Sequence, residues 1–379
     1  MRILQVVNSL CAGGAEKFVA DLSIALARRG HTVALYCYAG VLDRKGERLQ
    51  SRLRAAGVTV IADERRTALS KLAVPWRLRQ AILRVRPDVV HSHLEQSDFF
   101  LMLSALFFGP WRTYRRVRTL HNVYASRLFP PWVHRMLARH FDVNVACGPE
   151  VLREHPYLRG ATTTSIRNGV LMDDLHEVPA PQTAAHLHPT DEAGIVLVNV
   201  GSFSLRNETL QKAQDVIVRA LALLGDAPVR LVLVGDGERR TQIAALANEL
   251  GVSERVCFAG LVDNPEQFLR NADVVLMPSR FEGLPIACIE AVCTGKPVIV
   301  SDIAAFREFD GGAIRVVPAG DAGALAEKIR ESLGELAVLK HAAQRDAAAY
   351  RQRFDIAVTA EQYLSCYLPQ TPAERLARS

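Results

Sequence analysis

Short runs of Val, Ile and Leu, each closed by Gly, Ser, Asn or Asp, alternate along this chain with longer stretches whose apolar residues recur every three or four positions. The runs read as β-strands and the longer stretches as helices. In the first half the strand-like runs are RILQVV, TVALYC, VTVI, DVVHS, RVRTL, VNVAC and TSIRN. Between the first two lies AEKFVADLSIALARRG, helical in period and stopped by Gly30. Strands that are apolar throughout and separated by helices predict a parallel sheet covered on both faces.

The alternation breaks at DDLHEVPAPQTAAHLHPTDEAG, a polar, proline-rich and aperiodic segment that reads as a linker or surface excursion. It then restarts with IVLVNVGS, VRLVLVGDG, VCFAG, ADVVLMPS, KPVIVSD and AIRVVP. From Asp321 the chain is mostly helical and ends in a polar tail. The pattern predicts an α/β fold of two tandem doubly wound, Rossmann-like domains. Residues 1–172 form the first, 173–194 the linker and 195–353 the second; 354–379 form a helix and tail that could cross back to the first. Such sheets bind ligands beyond the carboxyl ends of their strands, so the expected site is a cleft between the two domains.

The length of 379 residues, 49% hydrophobic and 23% charged, suits two globular cores. The start, MRILQVVNSLCAGG, has too short an apolar run for a secretory signal or a membrane span and reads as a first strand, while the single, unpaired cysteines favour a cytoplasmic protein. FFLMLSALFF, ten residues from Phe99 to Phe108, reads as a buried helix rather than a span. Seven cysteines occur singly with no C-x-x-C pair, as expected of reduced, buried thiols without zinc or disulfides.

Charge divides the chain. Residues 1–174 hold 26 Lys+Arg against 14 Asp+Glu, net +12, and the remainder holds 20 against 26, net −6. The basic half could face anionic lipid, at the inner face of a membrane, or an anionic acceptor. GPWRTYRRVR beside FFLMLSALFF is the segment that suggests it, although a plain solvated face would look the same. No nucleic-acid motif accompanies the charge, so nucleic acid is not an expected partner.

The richest chemistry lies in RFEGLPIACIEAVCTGKPVIVSD. Glu282 sits on the loop after the strand ADVVLMPS, and Glu290 lies inside the following helix. That helix is expected to begin near Leu284 with Pro285 in its first turn. The amides of Gly283, Leu284 and Ile286 would then form an anion seat, flanked by carboxylates able to hold sugar hydroxyls. The plain alternative makes Glu282 a helix-start acid and Glu290 a solvated helix residue. Other strand ends add weaker signals: Gly235-Asp236-Gly237, Gly201 with Lys212 before the next helix, Gly13-Gly14 with Glu16, and the histidines His91, His93 and His121. Taken singly, capping, solvation or structural packing explains each of them.

Together these residues make the sequence resemble retaining glycosyltransferases of the B-type fold, family 4, over nearly the whole chain. Glu282 and Glu290 match that family's glutamates separated by seven residues, and GGAE, IRNGV and the His of TLHN match as well. The resemblance implies that Glu290 holds the donor ribose and Glu282 the hydroxyls of the transferred sugar. Gly283, Leu284 and neighbouring Pro285 would seat the diphosphate, and Lys212 would neutralise the leaving phosphate. His121 would contact the donor sugar, and Gly13 and Gly14 would leave room for donor phosphate and acceptor. Gly201 and Asp236 are further donor-side candidates. The family works without an essential metal or other cofactor. One departure stands out: Ser202 occupies the position of a family arginine, and Arg206 is the candidate to replace it.

These features point to transfer of a sugar from a nucleoside diphosphate sugar to an acceptor hydroxyl on a glycan or lipid, as in cell-surface polysaccharide or glycolipid synthesis. With no carboxylate evidently placed as a covalent nucleophile, front-face attack assisted by the leaving phosphate is favoured. A sugar-nucleotide epimerase or a non-catalytic nucleotide- or glycan-binding protein are the alternatives.

Overall fold

The computed structural model describes residues 1–63, 68–107, 113–124, 129–176, 194–206 and 208–368. The chain divides into two compact units, residues 1–169 with the segment from 355 onward, and residues 170–354. Residues 177–193, most of the expected linker, and 369–379, most of the expected tail, lie outside the described residues. Met172–His176 is a short helix.

The N-terminal unit carries strands β1 (Arg2–Val7), β2 (Thr32–Cys37), β3 (Thr59–Ala62), β4 (Val89–His93), β5 (Arg115–Leu120), β6 (Val143–Ala146) and β7 (Thr163–Ser165). They form one parallel sheet in the order β3-β2-β1-β4-β5-β6-β7. Its helices are α1 (Gly14–Arg28), α2 (Arg44–Ala55), α3 (Val74–Val85), α4 (Glu95–Phe107), α5 (Pro131–His140) and α6 (Pro149–Glu154). The helix Met172–His176 is α7. Helices α3, α4 and α5 share one core through Leu78, Ile82, Leu101, Met102, Val133 and Leu137, against Leu4, Val6 and Val90 of the sheet. Residues 99–107 of FFLMLSALFF thus lie in α4, and no helix among the described residues is long and apolar enough to cross a membrane.

The second unit carries β8 (Ile195–Val200), a hairpin of β9 (Leu205–Arg206) and β10 (Thr209–Leu210), and β11 (Val229–Val234), β12 (Val256–Gly260), β13 (Val274–Met277), β14 (Val298–Ser301) and β15 (Ile314–Val317). The six main strands are parallel in the order β12-β11-β8-β13-β14-β15. Helices α8 (Gln214–Leu223), α9 (Arg240–Glu249), α10 (Pro265–Asn271), α11 (Ile286–Cys293), α12 (Ala322–Gly334) and α13 (Leu336–Arg353) follow. Leu197, Leu231, Leu233, Leu276 and Ile299 from the strands meet Ile217, Leu221, Leu325 and Ile329 from the helices in one core.

The last helix, α14 (Ile356–Tyr367), belongs to the N-terminal unit and packs on α1. Asp355 caps it by accepting from the Ala357 amide at 2.8 Å. Its start comes so close to Gly169 that a Cβ there would lie 2.6 Å from Thr359 Oγ1, which accounts for the glycine of IRNGV. Arg115 Nε donates to the Cys366 carbonyl at 2.7 Å and secures the other end.

Candidate active site

Strand order reverses between β8 and β13, and ligands of open parallel sheets bind beyond the carboxyl ends of strands at such a reversal. β8 runs into Gly201 and Ser202, and β13 runs into the loop from Pro278 to Pro285. Asn199 Nδ2 donates to the Leu276 carbonyl at 2.8 Å and ties the two strands just beneath this point.

Lys212 Nζ lies 2.6 Å from Glu282 Oε1 in this region. The other carboxylate oxygen, Oε2, accepts from Gln211 Nε2 at 3.1 Å, and the same amide donates to the Phe281 carbonyl at 3.0 Å. Glu282 is 5% exposed and the Lys212 side chain 18% exposed, so Lys212 is not a solvated surface lysine. Gly201 makes the pair possible, since a Cβ there would sit 2.7 Å from Lys212 Cγ. Gly235, at φ 134°, lies so close to the Gly201 carbonyl that any Cβ would overlap it. The glycines of these strand ends therefore let backbones and one lysine stem pack together.

Helix α11 begins one to two residues later than expected. Pro285 is its N-cap rather than part of its first turn, with φ −75° and ψ 119°, and its carbonyl accepts from Cys288 at 3.1 Å and Ile289 at 3.2 Å. No side chain caps this end, and the amides of Ile286 and Ala287 have no partner among the described residues. Gly283, Leu284 and Pro285 are buried in the loop that leads into it. Glu290 projects from the second turn and is 2% exposed, so it is not a solvated helix residue. Cys288 and Cys293 beside it are buried free thiols, and burial pushes the Cys288 pKa well above its ordinary value.

Two expected donor residues stand apart from this pair. Arg206 is exposed in the β9–β10 hairpin, where it pairs with Thr209, and its side chain makes no hydrogen bond or ion pair among the described residues. Asp236 is exposed and caps its own turn, accepting from the Gly237 amide at 2.8 Å. The arginine that organises the loops is instead Arg280, which no motif singles out. It grips Asp215 through two bonds of 2.8 and 2.7 Å, donates to the Leu210 carbonyl at 2.9 Å, and its amide bonds the Gln211 carbonyl at 2.9 Å. Those bonds fasten the segment carrying Gln211 and Lys212 to the segment carrying Glu282. An Arg after a strand and an Asp at a helix start are too common to signal this.

In the N-terminal unit, His121 lies at the end of β5, half-buried, with Phe18 against its ring edge at 5.4 Å. Its Nε2 is 3.1 Å from His93 Nδ1. His91 and His93 are fully buried inside the unit, as structural packing would have them. Burial lowers the His121 pKa to about 4 and pushes His91 and His93 well below the ordinary value, with repulsion among the histidines adding to the latter two. Gly13 is the N-cap of α1 and Gly14 its first residue. A Cβ at Gly13 would overlap the Glu16 carboxylate, so the glycine lets that side chain lie against the helix start. The basic segment before and within β5 also differs from expectation. Arg118 is buried against Asp98 at 3.5 Å and Asn144 at 2.5 Å, and Arg116 meets Asp142 and His140. Its residues 109–112 lie outside the described residues.

Residues 12–173 match the family model for Glycosyltransferase Family 4, and residues 194–335 match the model for Glycosyl transferases group 1. The chain is a family 4, group 1 glycosyltransferase. This glycosyltransferase is 27% identical to the phosphatidyl-myo-inositol mannosyltransferase of Mycobacterium leprae, over 94% of its own chain and 92% of the relative. It is 26% identical to the lipopolysaccharide core biosynthesis glycosyltransferase LpsD of Rhizobium meliloti, over 94% and 95%. Anabaena HepE, solved in complex with UDP-glucose, shares the fold at TM-score 0.78 and 20% identity, over 96% and 98% of the two chains. The glycosyltransferase therefore has the B-type fold of two Rossmann-like units. Neither the epimerase nor the non-catalytic alternative is favoured by these relatives.

Proposed function

We propose that this glycosyltransferase moves a sugar from a nucleoside diphosphate sugar to an acceptor hydroxyl on a glycan or lipid-linked acceptor, with retained anomeric configuration and without an essential metal. The observation that carries the reading is the Lys212–Glu282 pair at the β8/β13 reversal, beside a helix start whose first amides are unpartnered among the described residues. Lys212 and those amides suit a diphosphate. Glu282 suits the hydroxyls of the transferred sugar, and the buried Glu290 suits the ribose. For the N-terminal unit, His121 is the residue proposed to touch the donor sugar.

In this reading the bond from the anomeric carbon to the diphosphate oxygen breaks as the acceptor oxygen bonds to that carbon on the same face. The acceptor proton passes to the departing phosphate. Positioning and stabilisation of the developing charge would then supply most of the rate. A thermal-shift screen of nucleoside diphosphate sugars tests the donor class, because a ligand of the folded state raises its melting temperature. No shift with any of them at millimolar concentration refutes the reading. The complexes of HepE with UDP and UDP-glucose make uridine donors the first to try.

We further propose that the N-terminal unit rests on an anionic membrane through α3 and α5. These helices carry Arg77, Arg79, Arg84, Arg135 and Arg139 and no carboxylate. Leu72, Trp76 and Leu83 at α3, and Trp132 and Met136 on α5, are exposed beside them. Tryptophan rings and arginine stems of this kind suit the headgroup layer.

A further inference from the structure

His121 ends a chain of hydrogen bonds that runs through the interior of the N-terminal unit to its last helix. His121 Nε2 meets His93 Nδ1 at 3.1 Å, and His93 Nε2 meets Gln5 Oε1 at 2.8 Å. Gln5 Nε2 donates to the Tyr367 hydroxyl at 3.5 Å, and that hydroxyl meets His91 Nδ1 at 2.7 Å. His91 Nε2 meets Thr119 Oγ1 at 2.7 Å, and Thr119 Oγ1 meets the Tyr363 hydroxyl at 2.9 Å. Every member except His121 is buried. His121 Nδ1 has no hydrogen-bond partner among the described residues.

Burial keeps the three imidazoles neutral near pH 7, so each has one N–H and one lone pair. An amide oxygen only accepts. Gln5 Oε1 therefore requires the His93 proton on Nε2, which leaves Nδ1 as a lone pair. That lone pair requires the His121 proton on Nε2, which leaves His121 Nδ1 as an acceptor. We propose that Gln5, held by Tyr367 of the C-terminal helix, sets the tautomer of His121 through His93, so that His121 presents an acceptor to its ligand. Gln5 and Tyr367 are then positioning residues, and the group His121 recognises is a hydroxyl that donates. A carbonyl or phosphate oxygen would face the lone pair unfavourably. The direction of the whole chain depends on the Gln5 amide, whose nitrogen is turned to Tyr367 and whose oxygen is turned to His93.

The inference rests on the proposed role of His121 only for what the acceptor meets; the tautomer is a property of the free protein. Long-range nitrogen–proton correlation spectra of the full chain, labelled with ¹⁵N-histidine and assigned with His121→Gln, read it at pH 7 without any donor. Protonated Nε2 and bare Nδ1 on His121 are expected. A proton on Nδ1, or rapid averaging between the two tautomers, overturns the proposal whether or not the sugar-transfer reading holds.

Two isosteric variants separate positioning from general support. Tyr367→Phe frees the Gln5 amide and is expected to shift His121 towards the other tautomer. It should lower kcat by roughly tenfold with KM little changed, the factor that matches about 1.4 kcal/mol of bias. Tyr363→Phe removes an equally buried hydroxyl from the far end and is expected to leave the His121 spectrum unchanged. Equal spectral effects of both variants, or no effect of Tyr367→Phe in a folded chain, overturn the proposal. If Tyr367→Phe does not fold, Gln5→Met reads the same tautomer.

Discussion

Glu282 Oε1 holds Lys212 Nζ at 2.6 Å, so the two charges proposed to serve the donor neutralise each other in the free protein. A diphosphate arriving at Lys212 must compete with Glu282. Glu282→Gln keeps the shape and releases the lysine. It is expected to tighten binding of the bare nucleoside diphosphate by up to about tenfold, the lower end of what a charged hydrogen bond is worth. It should lower transfer by roughly 10²–10³-fold, as loss of a group acting on the reacting sugar would. Isothermal titration and a transfer assay measure the two effects, and a parallel loss in both contradicts the competition.

Gly201→Ala would push a methyl to 2.7 Å from Lys212 Cγ. The lysine must leave its seat. Overpacking of this kind costs about 1–3 kcal/mol, which denaturant unfolding would register. Turnover should fall about 10²-fold or more, because Lys212 no longer meets the leaving group. Wild-type turnover in a folded Gly201→Ala chain would remove Lys212 from the mechanism.

The two-pronged grip of Arg280 on Asp215 fastens the Lys212 segment to the Glu282 segment. Arg280→Lys keeps the charge but loses the planar fork. Both side chains are about a quarter to a third exposed, so the cost in stability should be modest, about 1 kcal/mol. The larger effect is expected in turnover, because both loops lose register. Melting curves and steady-state kinetics together test this; a stability loss without a kinetic one would make the pair purely structural.

The buried histidines set a direction for pH dependence. His91, His93, His121 and His155 all have folded pKa values below their ordinary value, chiefly through burial. They stay neutral in the folded chain while the unfolded chain takes up protons below about pH 6.5. Stability is therefore full above that pH and is lost as pH falls towards 4. Asp98 opposes this, since burial against the pull of Arg118 raises its pKa to about 7, but it is one group against four. Each net proton taken up on unfolding contributes a slope of about 1.4 kcal/mol per pH unit. Urea midpoints between pH 7 and 4.5 measure it, and a flat profile would contradict the burial.

The surface of α3 and α5 predicts sedimentation with vesicles rich in phosphatidylserine at low salt and release as salt rises. Trp132→Ala combined with Arg135→Glu and Arg139→Glu should abolish it while leaving the fold intact. Binding equal to that of neutral phosphatidylcholine vesicles would remove the membrane from the proposal.

The alternation of apolar runs and helical periods determined the two parallel sheets. Among the described residues, each of the thirteen strands of these sheets overlaps a run visible in the sequence, the central ones because a buried parallel strand must be apolar on both faces. The glutamates were legible for a similar reason: an acid beside Gly-Leu-Pro after an apolar strand marks a helix start at the carboxyl end of a sheet. The β9–β10 hairpin was not legible, since two-residue strands carry no period.

Tertiary structure alone decided what meets what. Strand order placed Gly201 beside the Glu282 loop, and no local pattern encodes the order of strands in a sheet. The pairing of Lys212 with Glu282 and of Arg280 with Asp215 spans 70 and 65 positions. The wire from His121 to Tyr367 joins strands of the first half of the chain to its last helix. Sequence spacing reports contacts that recur every few residues along one element. Contacts made by folding distant segments onto each other depend on the sheet as a whole, and these are the ones that place charge and set a tautomer.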